Sequence, residues 1–350
     1  MVNGFIKPKK LCSGDTLAAV SLSWGGPAEF PPRYQAGKRQ LEAALDVKVV
    51  EMAHTLSSAE FLRANPQVRA DDLMQAFTDP SINGIISTIG GDDSIRLIPY
   101  IDFEIIRRNP KVFMGYSDTT VSHFICLKAG LGTFYGPSIM AGFGENGGLF
   151  PYMTESVRHV LFSGDIIGPL HPNQNGWTVE MLDWADPRLQ EQKRILNPSD
   201  NWHFLQGHGI HSGHLMGGCI EVLDWLRGTP IWPEQPLWSG AVLFFETSEE
   251  APGPQLVERI LRTFNAAGVL NEISAILFGR PGGQINPNLF SQYDQVLLNI
   301  INNEAKRPGL PIVTGMDFGH TDPMLILPYG RQCVIDCDLQ AIAIPECAVI

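Results

Sequence analysis

A serine, a glutamate and a histidine stand in this chain at places where such side chains can do acyl-transfer chemistry. Ser117 lies in the stretch Phe113-Met114-Gly115-Tyr116-Ser117-Asp118-Thr119-Thr120. The apolar run 111–114 before it reads as a buried strand. After it, 120–129 carries Val121, Phe124, Ile125 and Lys128 at helical spacing, and Gly130 supplies a stop. A serine between a strand end and a helix start holds its hydroxyl clear of the backbone. The N–H groups that open the helix can then receive an oxyanion as it develops. Ser and Asp mostly cap helices at such places, so the stretch taken alone favours a structural role. Glu246 closes the apolar run 241–245, and His320 sits in the turn Asp317-Phe318-Gly319-His320-Thr321-Asp322-Pro323. A nucleophilic serine needs a base within reach, and the base needs an acid to fix its tautomer. Spacing alone does not bring these three residues together.

Other groups compete for attention. Gly90-Gly91-Asp92-Asp93-Ser94 follows an apolar run and is neither a G-x-G-x-x-G nor a Walker sequence, so it carries no nucleotide fingerprint. A Gly-Gly backbone beside a serine would nonetheless offer an N–H to a reacting oxygen with no side chain in the way. His208, His211 and His214 resemble a metal cluster, but their spacing fits neither H-E-x-x-H nor a structural zinc pattern, and no metal or other cofactor is expected. Glu249 and Glu250 follow Glu246 closely; they read as solvated loop charges, with the triad acid as the alternative. Asp317 and Asp322 flank His320 and suit turn or cap roles.

Strands are expected at 17–22, 47–50, 82–89 and 111–114, with helices at 33–45 and 68–78 between them. This alternation predicts an α/β fold with a mostly parallel sheet and helices on both faces. Ligands in such sheets gather beyond the carboxyl ends of the strands, where Gly90-Gly91 and Ser117 both lie. From about 161 to 206 the chain becomes polar and turn-rich, with Trp177, Trp184 and Trp202 among acidic residues. Loops of this length are functional or disordered, and several tryptophans argue against disorder. Beyond it, Gly217-Gly218-Cys219 and the residues to Leu226 read as a turn and a helix. Further strands are expected at 241–245, 275–280 and 311–314, helices at 255–267 and 293–305, and a strand-rich end from 324 to 344. The expected division is 1–165, a linker and active-site loop at 166–206, and a second domain at 207–350.

Composition narrows the class. The 350 residues are 44% apolar and 18% charged, which describes an ordinary globular protein. The net charge of −12 opposes a nucleic-acid partner, since phosphate binding rests on clustered Lys and Arg. No apolar run approaches the roughly 20 residues of a membrane span, and the start lacks the apolar core of a signal peptide. Six scattered cysteines without a C-x-x-C pair fit free thiols, and a cytoplasmic location is the expectation.

Several short motifs in a shared order extend the reading. They are Lys7-Pro8, Leu11 and Gly14-Asp15-Thr16, then Ile89-Gly90-Gly91-Asp92-Asp93-Ser94 and Gly115-Tyr116-Ser117-Asp118. Leu215-Met216-Gly217-Gly218-Cys219, Leu226-Arg227-Gly228-Thr229-Pro230, Phe245-Glu246, Gly279-Arg280 and Gly319-His320-Thr321-Asp322-Pro323 follow. In this order they resemble, over nearly the full length, the LD-carboxypeptidase family of serine peptidases, and within it the microcin C immunity branch. The elbow lacks the second glycine of G-x-S-x-G, which opposes an ordinary α/β-hydrolase and matches this family.

The resemblance implies a Rossmann- or flavodoxin-like N-terminal domain carrying the serine, and a C-terminal α/β domain with a mixed, barrel-like sheet carrying the other two residues. It further implies Ser117 as nucleophile, His320 as base and acid, Glu246 as the residue orienting His320, and the N–H groups of Gly91 and Asp118 as the oxyanion hole. Gly90 and Asp92 would border the substrate. The immunity branch hydrolyses the bond joining a C-terminal aspartyl residue to a modified adenylate, and a loop aromatic stacks on its adenine. Segment 171–205 looks like that loop, with Trp177 or Trp184 placed to stack. The murein enzymes of the family instead remove a terminal D-alanine. The expected partner is therefore a small peptide or peptidyl-nucleotide, with a homodimer implied by the family alone. A non-catalytic two-domain ligand-binding protein is the reading from another class, separable by a serine-directed covalent probe.

Overall fold

The computed structural model describes residues 4–350. Five strands follow one another through the first part of the chain: β1 (Thr16–Val20), β2 (Lys48–Glu51), β3 (Gly84–Ser87), β4 (Val112–Gly115) and β5 (Phe134–Tyr135). All are parallel where they pair, in the order β5-β4-β3-β1-β2. Every residue of β3 and β4 is buried. Helices cover both faces of a parallel sheet, which is why its central strands read as unbroken apolar runs rather than alternating ones. The helix Pro31–Leu45 begins on prolines, whose missing N–H costs nothing there, and ends at Asp46 in the left-handed conformation (φ 53°). The helix Thr120–Lys128 is buried from Thr120 through Leu127 and so shows no polar face.

A second sheet contains β6 (Gly168–Leu170), β7 (His203–Gln206), β8 (Ile210–Cys219), β9 (Val242–Glu246), β10 (Ala275–Gly279) and β11 (Ile312–Met316). After them, β12 (Leu327–Pro328) returns to the first sheet and pairs antiparallel with β5, while β13 (Gln332–Asp336) and β14 (Ala341–Ile344) complete the second. The second sheet runs β6-β14-β13-β8-β9-β10-β11-β7. Its centre, β8 to β11, is parallel, and the outer pairs are antiparallel, so this sheet is mixed. The helix Pro254–Ala266 packs Val257, Ile260, Leu261 and Phe264 inward, and Gly268 (φ +80°) turns the chain after it.

Two expectations change. Gly217-Gly218-Cys219 is the end of the ten-residue strand β8 rather than a turn. Gly218 adopts φ +140°, and a Cβ there would lie 2.5 Å from Thr120 Cγ2, so glycine serves close approach between β8 and the helix Thr120–Lys128. The Cys219 N–H donates to Thr120 Oγ1 across the same junction (3.1 Å). The helix expected over 293–305 is α-helical only across Phe290–Asn299, and Ile300–Glu304 widens into a π-helical turn.

The segment between β6 and β7 has little regular structure but many anchors. The Asn173 N–H and the Trp202 indole both donate to Asp317 Oδ2 (3.0 and 2.8 Å). Thr178 and Asp322 exchange backbone hydrogen bonds (2.8 and 3.0 Å). The loop is thereby tied directly to the turn that carries His320. No helix among the described residues is long and apolar enough to cross a membrane, and all six cysteines are free.

Candidate active site

The site forms beyond the carboxyl ends of β3, β4, β9 and β11, as expected for parallel sheets. Ser117 begins the 3-10 turn Ser117–Thr119 that leads from β4 into the helix Thr120–Lys128. Its φ of +62° is a left-handed conformation for a residue with a side chain, which costs about 1–3 kcal/mol and is found where function demands it. The Ser117 N–H is occupied by the Tyr135 hydroxyl (3.2 Å), so an oxyanion donor must come from a neighbouring residue. Gly90 lies directly against Ser117, since a Cβ there would sit 2.7 Å from Ser117 Oγ. Gly91 has φ +141°, and a Cβ on it would strike Ser23 Oγ at 2.4 Å. Gly90→Ala is therefore expected to lower kcat by at least tenfold by displacing Ser117 (about 1.4 kcal/mol) while circular dichroism stays unchanged. Full activity would show that the elbow tolerates the crowding.

Asp118 is fully buried, and burial raises its pKa. Its Oδ2 accepts the Asp93 and Ser94 N–H groups (3.1 and 2.9 Å), and its carbonyl accepts the Ser94 hydroxyl (2.9 Å). Asp93 is also held by the buried Arg69 guanidinium (2.7 Å). These bonds brace the Gly90–Ser94 turn against the serine elbow. Asp92, by contrast, is exposed at the outer side of the turn.

His320 and Glu246 are in contact: His320 Nδ1 donates to Glu246 Oε2 at 2.6 Å. Glu246 is completely buried at the end of β9. Gly319 (φ +92°) allows this contact, because a Cβ there would lie 2.4 Å from Glu246 Cγ. The other carboxylate oxygen, Oε1, accepts the Tyr135 hydroxyl. Tyr135 thus links the Ser117 backbone to Glu246. The Tyr116 ring lies 4.8 Å from the His320 ring, centroid to centroid. His320 Nε2 meets Glu249 Oε2 at 2.9 Å, and the Glu249 side chain is 63% exposed. Burial opposes charge on His320, but Glu246 and then Glu249 outweigh it and hold the imidazole pKa well above its ordinary value.

Ser117 and His320 line one cleft of about 900 Å³ with Gly90, Gly91 and Trp184. Trp24, Phe30 and Trp184 form an aromatic group there, joined edge to face at 5.9 Å for each successive pair. Trp184 is half-buried, and the Arg33 guanidinium lies 4.8 Å from its ring centroid. Trp177 is elsewhere. It is buried under Arg280 (4.8 Å) and beside Phe290 (5.8 Å), bordering a separate cavity of about 560 Å³. Of the two tryptophans expected to reach a substrate, only Trp184 faces the cleft; Trp177 pins the loop instead.

Sequence reasoning missed the buried ionic group behind the cleft. Arg194 binds Glu145 and Asp322, the latter at 2.7 Å, and so couples the long loop to the segments that follow β5 and β11. It also missed Tyr135, whose role arises from pairing of β5 with β4 and leaves no local signal. Glu249 read as a solvated charge, yet it contacts His320. The three histidines do not converge: His214 Nε2 bonds the Leu237 carbonyl (2.7 Å) and His211 Nε2 the His208 carbonyl (3.0 Å). Among the described residues, no group of three or more His, Cys, Asp or Glu could hold a metal.

A buried glutamate–histidine pair and a serine elbow lining one cleft form an arrangement that a serine hydrolase can use. The LD-carboxypeptidase N-terminal domain profile matches residues 17–136 and the LD-carboxypeptidase C-terminal domain profile matches residues 212–335. The chain belongs to the LD-carboxypeptidase family. A protein of Vibrio cholerae assigned by name to the carboxypeptidases is 32% identical over 334 residues, covering 94% of this chain and 95% of that protein. The microcin C7 self-immunity protein MccF of Escherichia coli is 29% identical, covering 96% and 94%. Its structure in complex with aspartyl sulfamoyl adenosine superposes with a TM-score of 0.83 at 30% identity, covering 99% of this chain and 100% of that one. An MccF-like protein of Streptococcus pneumoniae in complex with AMP gives a TM-score of 0.85 at 29% identity, covering 95% and 99%.

Proposed function

We propose that Ser117 is the nucleophile, His320 the general base and acid, and Glu246 the group that orients His320. The substrate is an aspartyl or similar acyl residue joined through an amide-type bond to a modified adenylate. His320 takes the Ser117 proton as Oγ attacks the acyl carbonyl, with the Gly91 and Asp118 N–H groups receiving the oxyanion. The same proton then passes to the leaving nitrogen, and water repeats the sequence on the acyl-enzyme. Glu246 fixes the Nδ1–H tautomer throughout. Tyr135, donating to Glu246, keeps that carboxylate aligned. In domain terms, the serine belongs to the unit 1–165, the stacking residue to the loop 166–206, and the base and acid to the unit 207–350.

One observation carries the choice of substrate: the aromatic group Trp24–Phe30–Trp184 stands in the same cleft as Ser117 and His320. A cleft of this volume takes a nucleotide-sized ligand. An adenine on Trp184 would complete a stack with Arg33 on the indole. MccF itself is described in complex with aspartyl sulfamoyl adenosine. The test is a side-by-side assay of aspartyl sulfamoyl adenosine and a murein tetrapeptide. Cleavage of the first at least tenfold faster in kcat/KM is expected. Preference for the tetrapeptide would make the chain a cell-wall carboxypeptidase, the activity after which its family is named.

A further inference from the structure

Both nitrogens of His320 face carboxylates, Nδ1 toward Glu246 (2.6 Å) and Nε2 toward Glu249 (2.9 Å). An ionised carboxylate only accepts, so both nitrogens carry hydrogen and the ring is an imidazolium. In that state it has no lone pair with which to take the Ser117 proton. The two carboxylates are not equivalent. Glu246 is fully buried and also held by Tyr135, whereas Glu249 is a largely exposed side chain that lines the cleft. Glu249 is therefore the partner that can leave.

The remaining charges around the base decide what could draw it away. Tyr116 packs on His320 and stays neutral, because burial raises its pKa. Asp322, two residues on, is neutralised by Arg194. Arg194 is shared with Glu145, and Arg33 donates to the Met140 carbonyl (2.8 Å) and to Asn146. Both cleft cations are thus engaged, and the exposed charge beside His320 is the negative one of Glu249. The substrate group that belongs there is a cation close to the scissile carbonyl. In an aminoacyl group the α-ammonium is separated from the carbonyl carbon only by the α-carbon.

We propose that Glu249 is a specificity-determining residue: it receives the α-ammonium of an aminoacyl substrate and, in turning from His320 to that ammonium, frees the base. This rests on the triad reading above. It narrows the substrate class to aminoacyl nucleotides with a free amine, as against peptidyl nucleotides whose nitrogen is acylated. The protons balance. The ammonium keeps its three hydrogens, His320 loses its Nε2 proton to water once Glu249 has left, and the freed Nε2 accepts the Ser117 proton. The direction of titration agrees, since the His320 hydrogen bond holds Glu249 down at about 2 and Glu249 in turn helps to hold His320 up.

Binding without turnover tests this directly. Aspartyl sulfamoyl adenosine and its des-amino analogue are titrated calorimetrically into the Ser117→Ala protein and into Ser117→Ala/Glu249→Gln. The first is expected to prefer the amine at least tenfold and the second to bind both within about twofold. In the single variant Glu249→Gln, the rising limb of kcat/KM against pH should also move to lower pH, because His320 loses one of the charges that raise it. An undiminished amine preference in the double variant, no preference in either protein, or failure to bind either ligand overturns the proposal. Wild-type turnover by Ser117→Ala would instead remove the triad reading and leave the binding comparison standing, so the two failures are distinct.

Discussion

Replacing Ser117 with alanine is expected to lower kcat on aspartyl sulfamoyl adenosine by roughly 10⁴- to 10⁶-fold, the scale of losing the nucleophile from a triad. The affinity for the intact substrate should stay within a few-fold. The two outcomes separate in the proposed mechanism because there the Ser117 hydroxyl acts only on the reacting carbonyl, while the stacking group and Glu249 hold other parts of the ligand. The Ser117 N–H bond to Tyr135 is a backbone contact and survives the change. Alanine has a Cβ like serine, so the left-handed conformation is no worse than before. Single-turnover kinetics with calorimetry on the same preparation makes the measurement. Residual turnover near the wild-type rate would exclude serine chemistry at this position.

The second large effect is expected at Trp184. Base–aromatic stacking contributes about 1–3 kcal/mol, so Trp184→Ala should weaken kcat/KM for a nucleotide substrate by about ten- to hundredfold. A peptide lacking the base should be almost unaffected. Trp184→Phe keeps a ring against Phe30 and Arg33 and should restore most of the loss. If only KM rises, the base is held equally in the ground and transition states. If kcat falls as well, binding at the base helps to set the scissile bond. Equal losses on both substrates would assign Trp184 to packing of the loop. Trp177→Ala offers the contrast: buried beneath Arg280 away from the cleft, it should reduce thermal stability and spare the difference between the two substrates.

The sequence by itself determined the α/β class, because alternating apolar runs and helical periodicities report burial on both faces of a parallel sheet. It also determined that Ser117 stands between a strand and a helix and that Glu246 closes a strand, since both follow from local pattern. The pairing of Glu246 with His320 was out of reach of local pattern. It requires β9 and the turn after β11 to end side by side, and Gly319 to leave room for the carboxylate. Gly217-Gly218 read as a turn because glycine usually marks one; in the structure it lets β8 and the helix after Ser117 touch. Trp177 and Trp184 were indistinguishable in sequence, seven residues apart in one polar loop. Tertiary structure separated them by closing Trp177 under Arg280 and opening Trp184 to the cleft. Glu249 shows the same limit most sharply. A charged residue three positions past a strand is ordinary in sequence, and only the meeting of that loop with His320 puts its carboxylate on the imidazole, because long-range chain packing decides which exposed charge faces which site.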